Sequence, residues 1–262
     1  MTAAQTSVAL PRVGQGRALA VGHRGDPVAH RENTLPAVRA AIEAGVDLVE
    51  VDLKTSADGV SVLLHDDRLT RLWELDRGVR ELTAAELADL GGPTDRPGVG
   101  EAPYVPRLEQ ALRLLTGTSC GMLLDLTSAE WVPAALDTVR AAVAGGTVRP
   151  DQVAWCGGVD ALRLVREADD TARVFLTWGE ELRTGLPDDA LVEELRPESF
   201  NPHWQGVVPR VREWCDERGL GLSCWTVDDR ETVRRVLEEG AGSVTSNRVP
   251  QVVAEVAAWN AR

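Results

Sequence analysis

Lysine is almost absent from this chain: of the 28 basic residues among its 262, only Lys54 is a lysine and the rest are arginines. Bases are also outnumbered by 41 acids, a net charge of −13, so long-range repulsion opposes broad binding to nucleic acid or to an anionic membrane. Cysteine pairing signals are missing. Cys120, Cys156, Cys215 and Cys224 form no C-x-x-C pair and lie in apolar stretches, which reads as reduced buried thiols rather than a disulfide framework. No window approaches the roughly 18 continuous apolar residues of a membrane span, and Met1–Gly16 shows no basic segment followed by an apolar core. The expectation is therefore no stable membrane insertion, no signal peptide and a cytoplasmic location. Phe and Tyr number only two and one against eight Trp, and apart from Trp225 the tryptophans read as packing residues. No internal repeat, heptad or exposed apolar stripe stands out, so the oligomeric state is not legible. What remains is a composition of 44% hydrophobic and 26% charged residues, that of an ordinary globular protein.

Short apolar runs alternate with helical patterns, the signature of strand–helix units and a parallel sheet. Strands are expected at Ala18–Gly22, Asp47–Lys54, Gly121–Leu126, Gln152–Cys156, Arg173–Trp178, Ser199–His203, Leu220–Thr226 and Gly242–Thr245. A ninth run, Val60–His65, is separated from the second only by a short segment ending in Asp58-Gly59, a turn that makes an antiparallel hairpin. Helices are expected at Thr34–Ala44, with Asn33 or Thr34 as cap and Gly45 as terminator, and at Thr83–Leu90, where Thr83 and Glu86 are spaced as a capping box. Further helices follow at Arg107–Leu115, Val132–Val143, Val159–Ala168, Val208–Arg218, Arg230–Glu239 and Pro250–Trp259, and a Gly/Pro-rich loop is expected over Gly91–Pro103. Eight barrel strands in a chain of this length predict an α/β fold, a (β/α)8 TIM barrel with a β-hairpin extension after strand two. A doubly wound sheet is disfavoured because no Gly-rich phosphate loop follows the first strand. Residues 1–17 are expected to be a flexible N-terminal segment and 18–262 a single barrel domain.

In such a barrel the site lies at the C-terminal ends of the strands. That rim collects His23-Arg24-Gly25, Glu50-Val-Asp52, His65-Asp66, Asp125 and Trp225. Residues i and i+2 of a strand face one side, so Glu50 and Asp52 converge, and Asp125 on the neighbouring strand can complete a three-carboxylate site. Bare carboxylates sharing a spot repel unless a cation sits between them, and hard oxygen ligands favour Mg²⁺ or Ca²⁺. His23 and His65 titrate near neutrality and suit general acid and base duty. Arg24 offers a fork of donors for a phosphate oxygen.

His23-Arg24-Gly25, Glu32-Asn33-Thr34-Leu35-Pro36-Ala37, Val49-Glu50-Val51-Asp52-Leu53, Asp58-Gly59-Val60 and His65-Asp66 occur in an order and spacing that closely resembles the glycerophosphodiester phosphodiesterase family. Weaker matches continue through Leu69-Thr70-Arg71, Val105–Glu109 and Cys224–Asp229. The resemblance implies a divalent-metal phosphodiesterase on a barrel of the phosphatidylinositol-phospholipase-C type. It implies His23 and His65 as the acid/base pair, Glu50 and Asp52 as metal ligands, and Trp225 as an aromatic bordering the cleft. Glu32 would support the site from the first loop, although Glu32-Asn33-Thr34 also reads as a polar helix cap.

This chain departs from the family at three places. Asp125-Leu126-Thr127 stands where the family usually shows Glu-x-Lys, so the lysine is absent and with it one positive charge expected near the phosphate. His30 replaces a common proline, an extra titratable group near the cleft, and Ser246-Asn247-Arg248 departs at the last strand. The expected reaction is hydrolysis of a small glycerophosphodiester to glycerol 3-phosphate and an alcohol. The attacker is either water or the substrate's own hydroxyl. Two alternatives stand beside it: a phospholipase D-like activity on lysophospholipid or sphingomyelin, with Trp73 and Trp204 as possible rim residues, and a catalytically impaired phosphate-binding barrel.

Overall fold

The computed structural model describes residues 9–91, 104–183 and 185–262. Most of the expected Gly/Pro-rich loop over 91–103, and residues 1–8 of the N-terminal segment, lie outside the described residues. The strands are β1 (Leu19–Gly22), β2 (Leu48–Thr55), β3 (Ser61–Leu63), β4 (Gly121–Leu126), β5 (Val153–Gly157), β6 (Arg173–Trp178), β7 (Ser199–Pro202), β8 (Gly221–Cys224) and β9 (Ser243–Ser246). Their order is β1-β9-β8-β7-β6-β5-β4-β2, all parallel, and β1 pairs with β2 to close the barrel. The antiparallel β3 extends β2 as the expected hairpin, its turn made by Asp58 and by Gly59 at φ +79°. Eight parallel strands with helices between them form the (β/α)8 barrel.

Each barrel strand is buried on both faces, and its alternation sorts side chains by destination. On β2, Val49, Val51 and Leu53 pack outward against the helices while Leu48 points into the barrel. On β4, Met122, Leu124 and Leu126 face outward and Leu123 inward. Glu50 and Asp52 therefore follow Leu48, and Asp125 follows Leu123, in the inward register toward the mouth. The lower interior is filled by Leu19, Val21, Ala154 and Phe175. A smaller apolar cluster of Val62, Leu64, Leu69, Leu82 and Leu87 lies under the hairpin crossover. All four cysteines are free and buried. Among the described residues no helix is long and apolar enough to cross a membrane.

Helix ends follow the expected chemistry. Thr34 accepts from Ala37 N at the start of Leu35–Glu43, and Thr83 and Glu86 form a capping box on Ala84–Ala88. The link between β6 and β7 also holds a helix, Asp189–Leu195, capped by Asp188. Its sequence gave little sign of it because only Leu195 is buried, too little apolar periodicity to stand out.

The flexible N-terminal segment expected over residues 1–17 needs correction for its described part. Leu10 and Val13 are 6% and 3% exposed and plug the bottom of the barrel beside Phe175. Their backbone is tied down as well: Leu10 N donates to Asp151 at 2.8 Å and Val13 N to Glu198 at 3.0 Å. Arg173 pairs with Glu198 at 2.7 Å and donates to Pro11 O at 2.9 Å. Gly121 leaves the room, since a Cβ there would lie 2.7 Å from a Leu10 methyl. Leu10→Ala should lower the free energy of urea unfolding by about 2–5 kcal/mol, as for other buried leucines; a change below about 0.5 kcal/mol, typical of surface sites, would mean that the segment does not pack here.

Candidate active site

The first βα loop carries most of the site's framework. Gly25 has φ +83°, and a Cβ on it would fall 2.6 Å from the Ala37 backbone, so only glycine lets this loop close on its helix. Two non-glycine residues here also adopt left-handed backbone, Arg24 at φ +58° and Asn33 at φ +55°, a conformation that asparagine tolerates and arginine adopts at a cost. The reward is placement. Asn33 donates its amide to Asp52 Oδ2 at 2.7 Å and accepts from Asp52 N at 3.1 Å. Arg24 N donates to Glu50 Oε2 at 2.8 Å, while its guanidinium lies 2.8 Å from Glu32 Oε1 and 3.2 Å from Asp52 Oδ2. The Glu32-Asn33-Thr34 run thus divides: Thr34 caps the helix, and Glu32 and Asn33 hold the site.

The strand register brings the acids together. Asp52 and Asp125 are register partners on β2 and β4, and Glu50 lies one inward step below. Oxygens of Glu50, Asp52 and Asp125 all fall within 4.8 Å of one another. Burial, reinforced by Asp52 and Asp125, pushes the Glu50 carboxyl well above its ordinary range, and burial together with Asp52 pushes Asp125 up to about 7. Asp125 Oδ1 is buried without a hydrogen-bond partner. The bare glycine Gly157 faces it, and a Cβ there would come within 2.7 Å of that oxygen. Three crowded oxygen donors, one of them unpartnered, fit a hard divalent cation.

Two histidines line the same cavity, which measures about 480 Å³ and is walled also by Arg24, Thr127, Cys156, Asn201 and Trp225. His23 follows β1 and is held at Nδ1 by Asn247 Oδ1 at 2.7 Å, leaving Nε2 3.8 Å from Glu50. Asn247 is itself clamped by Asp228 through its backbone and side-chain nitrogens, each at 2.8 Å. Burial and the Arg24 charge lower the His23 pKa below its ordinary value. His65, at the end of the hairpin, is more open, and Asp66 lies 2.6 Å from its Nδ1. Arg71 bonds both Asp66 and Glu32, at 2.6 and 2.7 Å, and holds the Asp66 carboxyl down at about 2.

Every expected site residue therefore lies in this region: His23, Arg24, Glu50, Asp52, His65, Asp125 and Trp225 line the cavity, and Glu32 supports it from behind. Sequence reasoning assigned no role to Arg71, Asp228 or Asn247, and read Asn33 only as a candidate helix cap. Arg71 and Asn247 lay in quoted motifs, but their partners are distant in the chain and only the fold joins them. His30, Trp73 and Trp204 are not among the lining residues. Trp73 stacks under Arg31 and Trp204 under Arg235. A second cavity of about 620 Å³ adjoins the first at Gly179, Glu180 and Trp225, and is lined by Leu182, Leu186, Val208 and Val211 together with Arg183 and Arg210.

Comparison with known proteins places the chain among relatives of one kind. The sequence model of the glycerophosphoryl diester phosphodiesterase family matches residues 23–251. A glycerophosphodiester phosphodiesterase of Caldanaerobacter subterraneus subsp. tengcongensis is 23% identical over 235 residues, 88% of this chain and 94% of that protein. The fold is shared with a glycerophosphodiester phosphodiesterase of Thermotoga maritima, at TM-score 0.73 and 24% identity, covering 91% of this chain and 98% of that one. It is shared also with an Oleispira antarctica phosphodiesterase solved with its product sn-glycerol-3-phosphate, at TM-score 0.77 and 17% identity over 91% and 96% of the two chains.

The raised carboxyls have a measurable consequence. Without a cation, the folded protein keeps protons on Asp125 and Glu50 that the unfolded chain has released. Their contribution to stability is full below an ordinary carboxyl pKa of about 4 and is lost as pH rises through about 7 for Asp125. A cation competes with those protons. Mg²⁺ or Ca²⁺ at one fixed concentration, about 100 times its Kd at pH 8, should raise the melting temperature by about 5–10 °C at pH 8 and by clearly less at pH 5.5. Asp125→Asn should remove most of that difference. Equal shifts at both pH values, or none, would contradict the site.

Proposed function

The chain belongs to the glycerophosphoryl diester phosphodiesterase family and is an enzyme of that class, and on that premise we propose that it hydrolyses glycerophosphodiesters to sn-glycerol 3-phosphate and an alcohol, with Mg²⁺ or Ca²⁺ held by Glu50, Asp52 and Asp125. The observation that carries this reading is the meeting of three carboxylates within 4.8 Å with two histidines on one cavity. The cation, when bound, supplies positive charge to a non-bridging phosphate oxygen and to the charge that builds in the transition state.

The chain's own residues do the rest. Asn247 holds His23 with Nδ1 turned away, and the lowered pKa keeps the ring neutral near pH 7. Nε2 is then free to take the proton of the attacking oxygen. His65 has the Asp66 carboxylate on Nδ1, which fixes the orientation of the ring, and its other nitrogen serves to protonate the departing alkoxide. Arg71 keeps Asp66 ionised for that purpose. Arg24 braces Glu32 and Asp52 and presents its charge on the cavity wall. Trp225 forms the ledge between the two cavities, with its indole N–H anchored on Asn201 O at 2.9 Å.

The adjoining cavity favours a second reading, in which the substrate's glycerol arm carries an acyl chain. Its apolar wall of Leu182, Leu186, Val208 and Val211 suits a lysophospholipid acyl chain better than a bare choline or ethanolamine does. Glycerophosphocholine, glycerophosphoethanolamine and lysophosphatidylcholine assayed side by side separate the two readings. Rapid turnover of the first two, lost on chelation, supports the glycerophosphodiester reading, and preference for the acylated substrate supports the other. His23→Ala and His65→Ala should each cost at least about a hundredfold in kcat at saturating cation, the usual weight of general acid–base catalysis. Near-unchanged turnover in either variant would remove that residue from the acid/base role.

A further inference from the structure

The single lysine lies at this site. Lys54 stands two residues beyond Asp52 on β2, facing the same side, and is only 5% exposed. The β2–β4 register pairs Glu50 with Leu123 and Asp52 with Asp125; the same offset sets Lys54 opposite Thr127, and its Nζ lies 3.3 Å from Thr127 Oγ1. The ammonium also touches Asp67 at 2.8 Å and sits 5.2 Å from the centre of the Trp131 ring. Lys54 does not line the catalytic cavity; Thr127 does.

A hydroxyl has one proton to donate and two lone pairs to accept with. Lysine can only donate, so its bond to Thr127 uses a lone pair of Oγ1 and leaves the Thr127 proton free. Thr127 is exposed on the cavity side. A hydroxyl that accepts from an ammonium becomes a stronger donor, because the chain of hydrogen bonds polarises along its length. We propose that Lys54 and Thr127 act as a pair in which the buried ammonium polarises the hydroxyl, and the hydroxyl binds a non-bridging oxygen of the substrate phosphate. Thr127 is then a substrate-binding residue and Lys54 a positioning residue, and the pair adds a polarised donor to the cavity that Arg24 also lines. The inference deepens the phosphodiesterase reading and rests on it for the identity of the anion.

Binding of sn-glycerol 3-phosphate, measured by calorimetry with saturating Mg²⁺, tests the pair without requiring turnover. Thr127→Val and Lys54→Met should each weaken binding about ten- to a hundredfold, the weight of a charge-assisted hydrogen bond. The double variant should bind no worse than Thr127→Val alone, because one hydroxyl delivers both effects. A purely structural Lys54 would instead add its loss to that of Thr127→Val. Less than a threefold loss in Thr127→Val, or losses that multiply in the double variant, would overturn the proposal. Thr127→Val is an exposed substitution that decides the question even where Lys54→Met fails to fold. Wild-type turnover of glycerophosphocholine is a separate measurement, so failure of the activity reading and failure of this pair are distinguishable.

Discussion

Three carboxylates forced into one buried pocket are the constraint on which the rest of this structure depends. Glu50, Asp52 and Asp125 cannot all be ionised in that space unless positive charge compensates them. The fold meets this in layers. Asn33 and the Arg24 backbone hydrogen-bond two of the acids, the Arg24 guanidinium lies against Asp52, and Lys54 stands behind Asp125. What these groups leave uncompensated shows as raised Glu50 and Asp125 carboxyls and an unpartnered Asp125 oxygen. The divalent cation proposed above would supply that compensation.

The same constraint explains why the first loop is strained. Left-handed backbone at Arg24 and Asn33 is the geometry that turns one peptide N–H onto Glu50 and one amide onto Asp52. Gly25 is required one residue later because the helix passes too close for any Cβ. Further out, Arg71 links Asp66 to Glu32, and so joins the support of His65 to the support of Arg24. His65 and the acidic cluster therefore share one hydrogen-bonded frame, and displacement of Glu32 or Arg71 reaches both.

Much of this was legible in the sequence because it is local. Strand alternation put Glu50 and Asp52 on one face, the Asp58-Gly59 turn marked the hairpin, and Thr83 with Glu86 marked a capping box. What escaped is non-local or weakly patterned. The Asn247 contact with His23 spans 224 positions and that of Arg71 with Glu32 spans 39. Residues 9–17 carry too few apolar side chains to announce burial, although Leu10 and Val13 fill the barrel floor. The missing third-strand lysine was visible, but its consequence was not, because the β2–β4 register alone shows that Lys54 arrives beside Thr127. The acid surplus of 13 likewise bounds the partners of the whole surface and says nothing about a pocket where three acids converge.

The most direct measurement of the central claim is an anomalous difference map from crystals of this protein soaked in Mn²⁺, a stand-in for the hard divalent cation. The account predicts a strong peak enclosed by Glu50, Asp52 and Asp125, below the two histidines and not ligated by them. A map with those carboxylates ordered and no peak among them, or with its main peak on His23 or His65, would contradict it.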